Sequence, residues 1–240
     1  MILPSNILRE CLDMVATQTD TVRMSPVPIA PAPDAPDTPK GAVRLAAYRQ
    51  DRIALIDLTV EVTDPIGGPI GINVPEWSRA LRSIEGDVTV ISDNGLVTLS
   101  GGGYRFVVGD VTIDAGDVRL PDVPHTAETM VPISELRRIG VADPKRSDSM
   151  SISVTPQGTV LSSYDDKGIG VDAAISPEVS ICDGDAASVY SLEAFVSFVR
   201  AAPADAVVTL SLAKDYPMTV TFGGRGYDGR WMLAPRIEEE

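Results

Sequence analysis

Residues Trp231 to Glu240 read WMLAPRIEEE, an apolar strand closed by Pro235, then Arg236, one aliphatic residue at Ile237, and three bare carboxylates. Chain ends are ordinarily polar and frayed. An aliphatic side chain placed after a proline and before an acidic run therefore points to a surface that something else must cover, and the tail reads as half of a docking site. The question is what the preceding residues build beneath it.

At 240 residues and 25.4 kDa the chain accommodates one large domain or two of about 120 residues, with ample core. It has no run of about 18 apolar residues and no basic-then-apolar leader, so the expectation is a soluble, intracellular protein. Cys11 and Cys182 stand in unrelated contexts without CxxC spacing and read as structural thiols. The net charge of −14 taken alone argues against a nucleic-acid partner, because phosphate binding needs positive charge. What decides the matter is where the basic residues lie. Lysine occurs only at Lys40, Lys145, Lys167 and Lys214 and the rest are arginine, a balance that suits a salt-adapted cytoplasm or a GC-rich genome equally.

The chain opens with a helix over NILRECLDMVA, where Ile7, Leu8, Cys11, Leu12 and Val15 recur at helical spacing and Ser5 is placed to cap. Six prolines from Pro26 to Pro39 make residues 25–41 an extended, solvated loop. Strands follow from Ala42, a glycine turn at Gly67, Gly68 and Gly71, and then a helix at PEWSRALRSI with Asn73 as cap. Trp77, Ala80, Leu81 and Ile84 form its apolar stripe, with Arg79 and Arg82 opposite. Three strands joined by Asn94-Gly95 and Gly101 to Gly103 lead to Thr112–Thr126, which has no period and reads as a connector.

The second half repeats the first. A strand AETMVP precedes a short helix ISELRRIGVAD, with Ile133, Leu136 and Ile139 inward and Arg137 and Arg138 outward. More strands precede SLEAFVSFVRAAP, capped by Ser191 and striped by Leu192, Phe195, Val196 and Val199, and three strands finish the chain. Self-similarity at this scale implies duplication. The reading is an α+β chain of two helix-plus-antiparallel-sheet domains: 1–111, including the proline-rich loop 25–41, a connector 112–126, and 127–240.

With the repeat in place, MLAPRIEEE resembles the C-terminal signature of the PCNA family of DNA sliding clamps, and the likeness extends over most of the chain. It is weakest at residues 25–41 and 143–188. The resemblance implies the DNA-clamp fold and a ring of three chains, a homotrimer, with the helices lining a hole for duplex DNA and edge strands pairing between subunits. On that likeness the DNA-facing residues are Arg9, Arg79, Arg82, Arg137, Arg138 and Arg200; Glu10 and Glu193 stand where the family commonly has basic residues. The peptide groove is formed by Tyr48, Ile53 and Leu55, by Val118, Leu120 and Pro121, and by Pro217, Met232, Ala234, Pro235 and Ile237. The subunit interface takes Tyr104, Phe106 and Val108 on one edge and Val171 and Ala173 on the other. Implied partners are double-stranded DNA without sequence preference, a DNA polymerase, a clamp loader, and other replication or repair proteins carrying a docking peptide. The implied location is the cytoplasm, at the nucleoid, for an archaeal chain, and the nucleus for a eukaryotic one.

Catalysis finds little support. The single histidine, His125, lies in the proline-bounded connector without a nucleophile or orienting acid nearby, so no catalytic residue, metal or cofactor is expected. GRGYDG at Gly224–Gly229 matches a dinucleotide pattern in letters only, because both its flanks read as strands. The competing function is a clamp-like β-rich interaction module that binds proteins without closing a ring.

Overall fold

The computed structural model describes residues 1–27, 40–113, 118–142, 145, 147–224 and 226–237. It divides into two compact units, each of which borrows a short segment from the other half of the sequence. The first comprises Met1–Gln50, Ile56–Arg119 and Gly224–Gly229; the second comprises Asp51–Leu55, Leu120–Gly223 and Arg230–Glu240.

In the first unit the order is β1 (Ile2–Pro4), α1 (Ser5–Ala16), β2 (Thr21–Val27), β3 (Lys40–Tyr48), β4 (Ala54–Thr63, belonging to this unit from Ile56 onward), β5 (Ile70–Asn73), α2 (Val74–Leu81), β6 (Asp87–Asp93), β7 (Leu96–Gly101) and β8 (Tyr104–Gly109). The short β1 lies between β4 and β6, and β6, β7 and β8 form an antiparallel meander. The turn between β6 and β7 is Asn94-Gly95, with φ of +51° and +76°, the left-handed pair that a two-residue hairpin requires. Leu8, Cys11, Leu12 and Val15 of α1 and Val74, Trp77, Ala80 and Leu81 of α2 are all buried, so both helices lay their apolar stripes on the sheet and on each other. The Asn73 side chain accepts from the Glu76 N–H at 3.0 Å, fixing the start of α2.

Three sequence expectations change here. Pro4 occupies the cap position of α1, and Ser5 is instead buried with its hydroxyl donating to the Ile84 carbonyl at 2.9 Å. The Ile84 carbonyl, beyond the end of α2, is a tertiary acceptor that no local pattern reveals. Gly71 is a strand residue, and an added Cβ would sit 1.7 Å from the Val111 carbonyl oxygen; close backbone approach, not a turn, demands glycine. Residues Ser25, Pro26, Val27, Lys40 and Gly41 belong to strands rather than to a loop. Pro26 is tolerated because β5 pairs only with Thr21–Met24, leaving the Pro26 stretch bound on one side, to β3. Residues 28–39 of the proline-rich stretch, and the terminal carboxylates at 238–240, lie outside the described residues.

The second unit repeats the plan: β9 (Ala127–Pro132), α3 (Ile133–Leu136) continuing into a 3-10 turn (Arg137–Val141), β10 (Ser149–Thr155), β11 (Gly158–Tyr164), β12 (Gly170–Ile175), β13 (Ile181–Gly184), β14 (Ala186–Ser191), α4 (Leu192–Ala201), β15 (Val207–Leu212), β16 (Met218–Gly224) and β17 (Tyr227–Leu233), the last belonging to this unit from Arg230 onward. One antiparallel sheet runs β12-β11-β10-β14, while β9 is flanked by β13 and β15. Ser191 caps α4 by accepting from the Ala194 N–H. The core closes on an aromatic stack: Phe198 lies parallel to Trp231, centroids 4.3 Å apart, and tilts against Phe222 at 5.7 Å.

Because Trp231 and Phe198 are fully buried, truncation leaves a void the packed strands cannot close. Trp231→Ala is expected to lower stability by about 3–5 kcal/mol, read as a reduced urea midpoint; a loss under about 1 kcal/mol contradicts this account of the core.

Candidate functional site

The basic side chains of the helices divide into two kinds. In the first unit Arg79 and Arg82 are exposed and Arg9 is half-buried. Arg82 and Arg9 flank Asp13, whose carboxyl is raised above its ordinary value by burial, with Arg82 and then Arg9 opposing the shift. Arg79, in the last turn of α2, makes no hydrogen bond or ion pair among the described residues. The Arg79 guanidinium is therefore available, while Arg82 is exposed beside Asp13.

In the second unit the arginines are engaged. Arg137 donates from Nε to the Val199 carbonyl at 2.8 Å and from Nη2 to those of Arg200 at 3.3 Å and Ala202 at 2.5 Å. These are the orphan carbonyls at the C-terminal end of α4, the negative end of its dipole. Arg200 returns the contact, its Nη2 donating to the Gly140 carbonyl at 3.0 Å. Arg138 bonds the Glu135 carboxylate at 3.0 Å and the Ala174 carbonyl at 2.9 Å. The expectation that Arg137 faces outward is corrected accordingly: it is half-buried and folded back onto α4, because a helix end supplies three convergent acceptors within reach. Helical periodicity gives the face a side chain leaves from, not where its tip goes.

The chain terminus is tied down before it becomes exposed. In the second unit the Ala234 N–H donates to the Ile53 carbonyl and the Arg236 N–H to that of Val189, both at 2.7 Å. The Arg236 guanidinium reaches the Asp148 carbonyl at 2.8 Å and its carboxylate at 2.7 Å. Held this way, the next residue, Ile237, is 75% exposed, while Ile53, Leu120, Pro217, Ala234 and Pro235 are half-buried and Pro121 is exposed. Leu55 and Met232 are buried strand residues, so they support this surface from below and do not line it. In the first unit Tyr48 is 42% exposed, and its hydroxyl donates to the Arg119 carbonyl at 3.3 Å. Val118 is buried there, against expectation, since its carbonyl is pinned by Arg44 at 2.6 Å and Arg44 is in turn paired with Asp57 at 2.7 Å.

Two sheet edges complete the picture. Tyr104 is 55% exposed and stacks at 6.2 Å on the half-buried Phe106; Val171 is half-buried. Val108 and Ala173 point into their cores and offer an edge only their backbones. The strand pleat puts successive side chains on opposite faces, so once Val108 is inward its neighbours Arg105 and Val107 must be outward, and sequence reasoning missed both. Among the described residues no cluster of three His, Cys, Asp or Glu side chains is placed to hold a metal. His125 meets the Thr219 hydroxyl at 3.3 Å. Among the described residues no helix is long and apolar enough to cross a membrane.

This architecture has known counterparts. The structure superposes on PCNA from A. fulgidus, solved with the C-terminal region of FEN-1 bound, with a TM-score of 0.83 and 18% identity, covering 100% of this chain and 98% of that one. It superposes on PCNA from Thermococcus kodakaraensis with a TM-score of 0.82 and 15% identity, covering 98% and 99%. In sequence it is 23% identical over 212 residues to the DNA polymerase sliding clamp of Natronomonas pharaonis, covering 78% of this chain and 83% of that protein. No protein-family model matches the chain.

The two kinds of arginine should separate in solution. Arg137→Ala strands three carbonyls and is expected to destabilise the protein by about 1–3 kcal/mol, with faster amide exchange at the end of α4. Arg79→Ala, touching nothing, should stay within about 0.5 kcal/mol of the parent.

Proposed function

We propose that this chain, whose fold is that of the PCNA clamps and whose sequence relatives include archaeal DNA polymerase sliding clamps, is itself a PCNA-family DNA sliding clamp. Three copies close into a ring around duplex DNA, and the ring tethers replication and repair proteins without performing chemistry of its own. The observation that carries this reading is the full-length match to the clamp fold in an acidic chain that nevertheless exposes two guanidinium groups at the end of α2, Arg79 in its last turn and Arg82 at its C-cap. Such groups make phosphate contacts that carry no base information. Contacts of that kind exchange easily, as sliding requires, while retention comes from enclosure.

Peptide docking follows from the same reading. The A. fulgidus relative was solved with a FEN-1 segment; here the exposed Ile237, with Pro235 and Ala234 before it and Leu120 and Pro121 in the connector, offers an aliphatic surface to an aromatic or aliphatic anchor. A polymerase, a clamp loader and repair enzymes bearing short docking segments are the partners this surface fits, at the cell's DNA.

Three measurements test the reading. Rings loaded on closed circular DNA should stay bound at moderate salt and be lost when the circle is linearised; equal retention on both forms overturns enclosure. The double change Arg79→Ala with Arg82→Ala should weaken binding to all sequences alike and flatten the logarithmic salt dependence by roughly one unit per arginine. Ile237→Ser should weaken capture of a docking peptide by about tenfold, the value of one buried aliphatic side chain, with DNA retention unchanged.

A further inference from the structure

From Asp110 to His125 the described residues belong to no helix or strand. The near end of this connector is tied by its backbone, the Asp110 N–H to the Gly95 carbonyl at 2.9 Å and the Val111 N–H to that of Gly71 at 3.2 Å. Farther along, side chains of β3 hold two successive carbonyls. Arg44 donates from Nη2 to the Val118 carbonyl at 2.6 Å, and the Tyr48 hydroxyl donates to the Arg119 carbonyl at 3.3 Å. Arg44 and Tyr48 stand four residues apart on one strand and so leave the same face, while Leu45 and Ala47 turn into the core.

The Arg44 tip is itself aimed. Its Nε meets Asp57 Oδ1 at 2.7 Å and its Nη2 meets Oδ2 at 2.8 Å, with Asp57 on the neighbouring strand β4. A guanidinium is planar, so a carboxylate that grips one edge fixes where the remaining N–H groups point. One Nη2 hydrogen serves Asp57 and the other serves Val118. A lysine ammonium has no such edge and cannot be aimed this way. The Val118 carbonyl defines the peptide plane that enters Arg119, and the Arg119 carbonyl defines the plane that enters Leu120. With both carbonyls held, the direction in which the chain reaches Leu120 is set.

We propose that Arg44 and Asp57 are positioning residues for peptide docking: the pair, supported by Tyr48, aims Leu120 and Pro121 before a partner arrives, so that binding does not have to order them. This rests on the docking reading above and deepens it by naming what presets the connector's part of that surface. Neither Arg44 nor Asp57 has to touch the peptide. Their effect passes along the chain through Val118 and Arg119.

The test measures capture, by the full chain, of a labelled peptide of the FEN-1 C-terminal region, the segment bound to the A. fulgidus relative. Retention on closed circular DNA and the urea midpoint are followed beside it. Arg44→Lys keeps the charge and Asp57→Asn keeps the shape; each is expected to weaken the peptide about fivefold, and the double variant no more than either alone, with DNA retention unchanged. Tyr48→Phe should weaken it about twofold. Because the pair acts through the connector, Arg44→Lys should cost nothing further in a Leu120→Ala chain and its full loss in an Ile237→Ser chain. Single variants that stay within about twofold of the parent, or whose loss adds in full to that of Leu120→Ala, overturn the positioning and leave docking intact. A loss shared by peptide and DNA in step with the urea midpoint marks the pair as structural alone and overturns it too. A parent that stays on circular DNA but captures no peptide overturns the docking reading and the positioning together.

Discussion

Antiparallel pairing is the constraint from which the rest of this structure follows. Once Leu96 faces Gly109 and Tyr164 faces Gly170, the pleat and the alternation of the ladder settle three matters together: which side chains enter the core, which face solvent, and which backbone groups remain unpaired. Val108 and Ala173 become core and Arg105 and Asp172 become edge. The same rule governs the chain terminus, where the Ala234 N–H is bound to Ile53 and the Arg236 N–H to Val189. Ile237 is exposed because its predecessors are fixed, so its solvation is a property of a held segment and not of a frayed end.

The arginines show how a helix end competes with solvent for a cation. Arg137 sits within reach of three carbonyls at the end of α4, and Arg200 within reach of Gly140. Each satisfies orphan acceptors that would otherwise be left without partners. Arg79 belongs to the last turn of its own helix and bonds to no such acceptor among the described residues. Residue type and spacing are alike in the two cases; what differs is whether another element ends nearby. The second unit thus uses guanidinium groups to lock α4 to the 3-10 turn, and the first leaves them at the surface.

Much of this was legible in the sequence wherever the deciding contact is local. Asn73 and Ser191 cap their helices because the acceptor and the N–H lie three residues apart, and Asn94-Gly95 turns a hairpin because the turn itself requires left-handed φ. Apolar stripes at helical spacing located both long helices and their buried faces. What escaped is decided by distant partners. Ser5 finds Ile84, 79 positions away, and Arg44 finds Val118 at a separation of 74. Strand phase escaped for the related reason that a short run such as YRFVVG carries a valine on each face, and only its neighbour β7 tells which residues turn inward.

A net charge of −14 does not conflict with the proposed affinity for a polyanion, because screening makes electrostatics local. At physiological ionic strength exposed charges farther apart than about 8 Å scarcely influence one another, so carboxylates on a remote surface do not cancel a cluster of arginines. Net charge therefore acts on solubility and on unwanted adsorption, while the helix face sets the field that a bound phosphate feels. A protein held by enclosure needs only a weak field there, since stronger contacts would arrest sliding.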